Sequence, residues 1–460
     1  MSPRRWVSLI AAAVAVAGVA SLLRSPARQA GRPNVLLIVV DSLRADALGA
    51  YGSTAGLTPA LDRLAADSRV YERAYAASSW TVPSVASLFT GQYPSEHQVA
   101  TFAANLPADR LTLAEVLAAH GIRSAGYVAN PNIAPVLGFG QGFDDYRLVG
   151  DFNGFSKGDA DAVNRAAMEW AEHHRDGSAP AALYLHYMEP HVPYRAHPGL
   201  TAERRPEVGP TDAALNARVT GPASPSDLTG PRWRFSEAER ARLIDLYDGE
   251  VRYVDQRIGE LLAGLERAGA LANTIVIVTA DHGEEFGEHQ IFGHGTSLYE
   301  SVLRVPLIVR LPGGAAPDRV SRPVELAGLA PALLQELVGS VPPSFHIAPL
   351  PLRAAGAGRL AYSELLDTHF HTLRLHESAA ADEHATLLRA PDGDAVAFDV
   401  RTDPFERSPL PPSPAVDALR SAAQQVRAGL AAANAPATGV LDEATRERLR
   451  GLGYLPDEPR

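Results

Sequence analysis

The chain has 460 residues, 53 acidic side chains against 42 Lys and Arg, a formal net charge of −11 and no cysteine. That excludes disulfides, thiolate metal ligands and a cysteine nucleophile, and the lack of a dense basic stripe argues against a nucleic-acid partner. A hydrophobic share of 46 % is that of an ordinary globular protein, and the length suits a large α/β domain with a smaller appendage. Lys157 is the single lysine, so no site elsewhere in the chain can use one.

In chain order, Arg4 and Arg5 precede an apolar run over residues 6–23, and Arg24, Ser25 and Pro26 follow. A basic start before such a run reads as an export signal, with Gly18-Val19-Ala20 as a cleavage site. The run also meets the roughly 18 residues of a marginal span, so an uncleaved membrane anchor stands beside that reading. Either way the expected location is periplasmic or extracellular, soluble or tethered to the inner membrane. Residues 1–33 are read as this segment plus a linker, 34–335 as the main domain and 336–460 as a C-terminal subdomain.

Val35-Leu-Leu-Ile-Val-Val40 is a continuous apolar run of the kind that forms a strand buried on both faces, and it ends at Asp41. Thr274-Ile-Val-Ile-Val-Thr279 is a second, running into Asp281 and His282. Others lie at 125–129, 182–187 and 305–309, with helical patterns at 58–68, 111–120, 160–174 and 236–269. This alternation predicts an α/β fold with a doubly wound, mostly parallel sheet. Ligands in such sheets bind beyond the C-terminal strand ends, which is where the two Asp residues fall. Further on, 385–390, the turn Pro391-Asp-Gly-Asp394 and 395–400 predict a hairpin, and 414–433 a helix, together a small α+β subdomain.

Thr81 falls in a turn with Pro83, and a helix is expected from about Ser84, with Ser84 as its cap. A hydroxyl beside a helix N-terminus sits in a positive field that favours an alkoxide and an anionic substrate. A structural Thr before a capped helix accounts for the same residues.

The surrounding stretch, Ser79-Trp-Thr-Val-Pro-Ser-Val-Ala-Ser-Leu-Phe-Thr-Gly-Gln-Tyr-Pro94, resembles the sulfatase signature. There a Cys or Ser precedes x-Pro-Ser-Arg and is converted to formylglycine; Thr81 takes its place, and Val85 that of the Arg. Asn34-Val-Leu-Leu-Ile-Val-Val-Asp-Ser-Leu-Arg-Ala-Asp46 is similar to the family's opening metal motif, with Ser42 for its second Asp. Tyr187-Met-Glu-Pro-His-Val-Pro-Tyr194 resembles the segment that gives a substrate-side His, at His191. Thr279-Ala-Asp-His-Gly-Glu-Glu-Phe-Gly-Glu-His289 resembles the second metal motif. In Phe292-Gly-His-Gly-Thr-Ser-Leu-Tyr-Glu300, His294 stands where many sulfatases place a Lys. Phe398-Asp-Val-Arg-Thr-Asp-Pro-Phe-Glu406 and Leu452-Gly-Tyr-Leu455 resemble the tail. In family order over roughly residues 34–455, these blocks mark a resemblance to the sulfatase-like branch of the alkaline-phosphatase superfamily. It implies an alkaline-phosphatase-type catalytic domain over 34–335 and an anionic ester substrate: a sulfated or phosphorylated glycan, a lipid head group or a small molecule.

Hard cations take carboxylates and borderline ones accept imidazole. Asp41, Asp281 and His282, with Thr81 as a fourth ligand, therefore suit one divalent ion (calcium, manganese, magnesium or zinc). Ser42 adds at most a weak hydroxyl ligand. The set resembles the single-metal site of lipoteichoic-acid-synthase-like enzymes. His294 is favoured as a site residue that binds substrate oxygens or protonates the leaving group; His289 reads as a second contact or a loop His. Asn130 is an oxyanion contact or a turn residue before Pro131, and His191 is preferred to His186. Glu284 and Glu285 are expected to support the site or face solvent.

No formylglycine is expected at Thr81. A formylglycine hydrate expels sulfate by breaking its own C–O bond, and Thr has no second hydroxyl to do so. A phospho-Thr can instead be opened by in-line water or alcohol attack. This favours phosphoryl transfer over sulfate-ester hydrolysis, with a true sulfatase as the alternative. A catalytically inactive metal-binding member is the third reading, since Thr81, Ser42 and Val85 all depart from the pattern.

Overall fold

The computed structural model describes residues 31–433 except 102–103, 151–158, 175–179, 203–209, 221–234, 314–316, 354–359 and 367–375. The N-terminal apolar run and the block at 452–455 lie outside the described residues. Among the described residues no helix is long and apolar enough to cross a membrane.

The apolar runs become the centre of an eight-stranded sheet. In chain order its strands are β1 (Asn34–Val40), β2 (Arg69–Tyr71), β3 (Arg123–Val128), β4 (Asp145–Leu148), β5 (Ala181–Tyr187), β6 (Thr274–Thr279), β7 (Leu307–Arg310) and β8 (Asp318–Val320). Their spatial order is β8-β2-β7-β6-β1-β5-β3-β4, and only β7 runs antiparallel to its neighbours. Every residue of β6 is buried, as the absence of polar alternation requires. Val39 pairs with His186 on one side and with Thr279 on the other. The register thus brings Asp41, His186 and Asp281 to one edge of the sheet.

Two groups of helices make the doubly wound layers. In one, α1 (Pro59–Ala66) and α4 (Ala160–His173) pack on α5 (Glu237–Arg267). In the other, α2 (Thr81–Thr90) and α3 (Leu113–Ala119) pack on α6 (Leu329–Leu337). Ser236 starts α5 by accepting from Glu239 N while the Glu239 carboxylate accepts from Ser236 N, which satisfies two otherwise orphaned donors. α2 stops at Gly91, whose φ of 61° is left-handed, and a Cβ there would lie 2.9 Å from Phe345.

The expected hairpin is part of a second, antiparallel sheet: β9 (Ala361–Glu364), β10 (Ser378–Ala381), β11 (Thr386–Arg389) and β12 (Ala395–Phe398), followed by α7 (Pro414–Ala433). Strand periodicity divides its side chains between two cores. Ala379, Ala381, Leu388 and Phe398 join the main core, whereas Ala380, Leu387 and Ala397 pack with Val416, Leu419 and Leu430 of α7.

A half-buried acid borders the second core. Glu325 Oε1 accepts from the Tyr93 hydroxyl at 2.5 Å and from Tyr362 N at 3.2 Å, and burial pushes Glu325 up to about 7. Its folded value lies above the unfolded one, so its contribution is fully present below the usual carboxylate range and is lost as pH rises through about 7. Glu325→Gln keeps the acceptor and removes the charge. Urea unfolding should show the variant close to wild type at pH 4 and more stable at pH 8, by on the order of 1 kcal/mol for a group not wholly out of water. Equal stability at pH 8 would contradict a proton-linked Glu325.

Candidate active site

Asp41 follows β1 and is fully buried; its Oδ2 accepts from Asn130 Nδ2 at 2.6 Å and its Oδ1 from Ser42 Oγ at 3.0 Å. Asp281, just past β6, accepts through Oδ1 from Ser42 N at 3.3 Å and His282 N at 3.0 Å. Its Oδ2 is buried with no hydrogen-bond partner among the described residues. Ser42 has a left-handed φ of 59°, and the Tyr247 hydroxyl donates to its carbonyl at 2.9 Å. This turn points the Ser42 N–H at Asp281 while its hydroxyl goes to Asp41. Ser42, expected as a weak ligand, therefore bridges the two carboxylates.

His282 Nδ1–H donates to Gly283 O at 2.8 Å, which leaves the lone pair on Nε2. That nitrogen lies 3.5 Å from Asp41 Oδ1, 3.6 Å from Asp281 Oδ2 and 3.3 Å from Thr81 Oγ1. His186 Nε2 lies 3.3 Å from Asp41 Oδ2 and 4.0 Å from Asp281 Oδ2, and its Nδ1 is 2.8 Å from the Tyr184 hydroxyl. Asp41, His186 and Asp281 offer ligand atoms all within 4.8 Å of one another. An orphaned carboxylate oxygen among buried acids and imidazoles is costly unless a cation fills the gap, and the donor set suits a divalent one.

The electrostatics agree. Burial, with Asp41's charge added, pushes Asp281 up to about 8. Burial opposes ionisation of Asp41 too, but His191, His186 and His282 outweigh it and hold Asp41 well below the usual range. Without a cation the pair carries about one charge; a bound cation lets both ionise.

Thr81 is the first residue of α2, three positions earlier than the start expected at Ser84. Pro83 fits because a first-turn residue has no intrahelical N–H bond to lose, and Ser84 Oγ turns back to Ser78 O at 2.8 Å instead of capping. Thr81 Oγ1 lies 3.3 Å from Asp41 Oδ2 and 3.4 Å from Asn130 Nδ2. Asn130 takes the turn role, its Oδ1 accepting from Asn132 N at 2.8 Å, while its Nδ2 faces Asp41 and Thr81.

His294 stands between His282 and His191, with ring centroids 4.4 and 4.9 Å away. Its Nδ1 is 2.8 Å from Glu284 Oε1, and Glu284 Oε2 accepts from the Tyr194 hydroxyl at 2.9 Å. Burial lowers His294 to about 3 and His191 to about 4, and raises Glu284 to about 7. Both imidazoles are thus neutral near pH 7. His289 is placed elsewhere: it lies flat on Tyr299 at 3.4 Å, with Nδ1 3.3 Å from both Glu285 oxygens and Nε2 2.8 Å from Phe405 O. Neither nitrogen is left for a substrate oxygen.

Sequence reasoning gave too little weight to His186 and Glu284. The signal for His186 lay in pairing β5 with β1, and Glu284 meets His294 only when the following hairpin folds back. Arg44 adds a clamp between the loops after β1 and β6: buried, it donates to Glu284 O at 2.8 Å and to Glu288 Oε1 at 2.7 Å while forking onto Asp46.

A family model described as Sulfatase matches residues 33–340. The ulvan-active sulfatase of Formosa agariphila is 24 % identical over 423 residues, covering 85 % of this chain and 79 % of that protein. The solved structure of BT4656 with its substrate D-glucosamine-2-N,6-O-disulfate has a TM-score of 0.71 at 20 % identity, covering 87 % of this chain and 98 % of that one. The phosphonate monoester hydrolase of Agrobacterium radiobacter gives 0.67 at 21 %, covering 87 % and 96 %. Enzymes of this family use a divalent metal, and the buried Asp–His–Asp group could hold such an ion. This chain belongs to the sulfatase family and is an ester hydrolase of the alkaline-phosphatase superfamily.

Proposed function

We propose that the enzyme acts on phosphoric esters, as hydrolase or phosphotransferase, with Thr81 as its nucleophile. The observation that carries this reading is Thr81 Oγ1, 3.3 Å from both Asp41 Oδ2 and His282 Nε2 in the first turn of α2. Asp41, Asp281 and His282, with His186 beside them, would hold a divalent cation, which when bound would lower the Thr81 hydroxyl pKa and neutralise ester oxygens. Asn130 and the α2 N-terminus contribute donors for an anion. His191 and His294, neutral and beside the cluster, bind ester oxygens through their ring N–H groups. Thr81, at the position where sulfatases carry formylglycine, has no hydrate hydroxyl to expel sulfate, whereas its phosphate ester can be opened by a second in-line attack.

Sulfate-ester hydrolysis is the second reading, favoured by the sulfatase activity named for the Formosa relative. Under both, the substrate is an anionic ester, with sulfated or phosphorylated glycans the first class to try. The apolar run over residues 6–23 supports a site of action outside the cytoplasm.

The test strips metal from the full chain and assays aryl sulfate, aryl phosphate and bis-aryl phosphate with calcium, manganese, magnesium or zinc restored. Turnover of a phosphoric ester is expected. Turnover of the sulfate alone would overturn the phosphoryl reading.

A further inference from the structure

We propose that Glu406, in the segment after β12, is a positioning residue for catalysis: it latches the stretch of chain that carries His294. The proposal rests on the reading of His294 as a site residue.

His294 follows a short hairpin in which Glu285–Phe286 pairs antiparallel with Phe292–Gly293. One side of this hairpin is held by the main domain, through Arg44 on Glu284 O and Glu288 and through Arg240 Nε on Phe286 O. The other side is held by residues 376–406. At its tip, His289 Nε2–H donates to Phe405 O at 2.8 Å. At the far end of the stretch, Glu300 N donates to Glu406 Oε2 at 2.7 Å while Thr386 Oγ1 of β11 donates to Glu406 Oε1 at 2.5 Å. Between these points Leu298 N donates to His376 Nδ1 at 3.2 Å, and the Tyr299 ring lies between His289 and His376. Adjacent residues, Phe405 and Glu406, therefore grip the stretch on both sides of His294.

Glu406 itself shows that these contacts act together. It is 3 % exposed, a carboxyl group with both oxygens engaged, and its φ of 50° is left-handed without being glycine. Such a conformation persists only where the surroundings over-determine it. The metal-site residues do not depend on it: Asp41, His186 and Asp281 are placed by β1, β5 and β6 in the main sheet. Loss of the latch should displace His294 and leave the cation site intact.

The experiment compares Glu406→Ala, Glu406→Gln and His294→Ala in the full chain, by kcat on whichever aryl ester is turned over and by calorimetric titration of the divalent ion. Glu406→Ala should lower kcat by about 10²-fold, the cost of a misplacement near 1 Å, with one ion per chain still bound at unchanged affinity. Glu406→Gln should restore kcat to within about threefold, because its carbonyl accepts from Glu300 N and its amide donates to Thr386 Oγ1. Should Glu406→Ala not fold, His289→Phe decides: it keeps the stacking on Tyr299, removes the bond to Phe405 O, and should lower kcat by about tenfold. Wild-type kcat in Glu406→Ala, or in His289→Phe where that variant decides, alongside an impaired His294→Ala, refutes the latch alone. Wild-type kcat in His294→Ala refutes the reading of His294 and the latch with it.

Discussion

Replacing Thr81 by Val is expected to reduce turnover by at least about 10³-fold, since a missing nucleophile leaves only the catalysis due to binding and oriented donors. Valine keeps the volume and branching of a side chain that is 3 % exposed, so the loss would report the hydroxyl rather than packing. The variant leaves Asn130 Nδ2 and His282 Nε2 without their oxygen neighbour, at a stability cost of about 1–2 kcal/mol, too small to unfold the chain. Thr81→Ser keeps the hydroxyl and should retain activity within about 30-fold, the loss reflecting a freer rotamer. Because Asp41, Asp281 and the two imidazoles remain, both variants should still bind the divalent ion. The measurement is kcat for the three proteins, with intact-mass detection of a covalent adduct after rapid quenching. An adduct on wild type and on Thr81→Ser, absent from Thr81→Val, would identify the atom that attacks. Turnover by Thr81→Val within threefold of wild type would remove Thr81 from the chemistry.

Much of the scaffold was legible because burial writes itself into local pattern. The runs forming β1 and β6 are apolar throughout, and the helix at 414–433 has the bounds of α7. Asp41, Asp281 and His282 stood out because they follow such runs directly. What local pattern could not supply was register and return. Pro83 read as part of a turn, although a proline in a helix's first turn costs nothing. His186 looked like one more strand-end residue until pairing with Val39 brought it to the sheet edge that Asp41 follows. His289 looked like a neighbour of His294, but its partner Phe405 lies 116 residues away. The reversed direction of β7 likewise follows from tertiary pairing and not from its apolar composition.

Removing one charge from the metal pair should stabilise the metal-free protein. Asp281→Asn without a divalent ion is expected to unfold at a higher temperature than metal-free wild type, with the gap widening from pH 5 to pH 9. Asp281 is 1 % exposed, its Oδ2 has no hydrogen-bond partner among the described residues, and Asp41 is fully buried beside it. Burial and the Asp41 charge push Asp281 up to about 8, above its unfolded value. Its contribution is therefore fully present below the usual carboxylate range and is lost as pH rises through about 8. Asparagine does not titrate, and its Oδ1 still accepts from Ser42 N and His282 N, so the turn that joins the two strand ends survives. A divalent ion reverses the order. Binding to the folded state alone stabilises wild type by about 2.7 kcal/mol at a hundred times the dissociation constant, whereas the variant, one carboxylate short, gains little at the same concentration. Thermal unfolding of both proteins with chelator and with each of calcium, manganese, magnesium and zinc reads these effects without relying on turnover. A wild-type midpoint unmoved by every ion would mean that the buried Asp–His–Asp group serves another purpose. A crossing of the two proteins' stabilities on addition of one particular ion would show that the same residues destabilise the empty fold and hold the ion it needs.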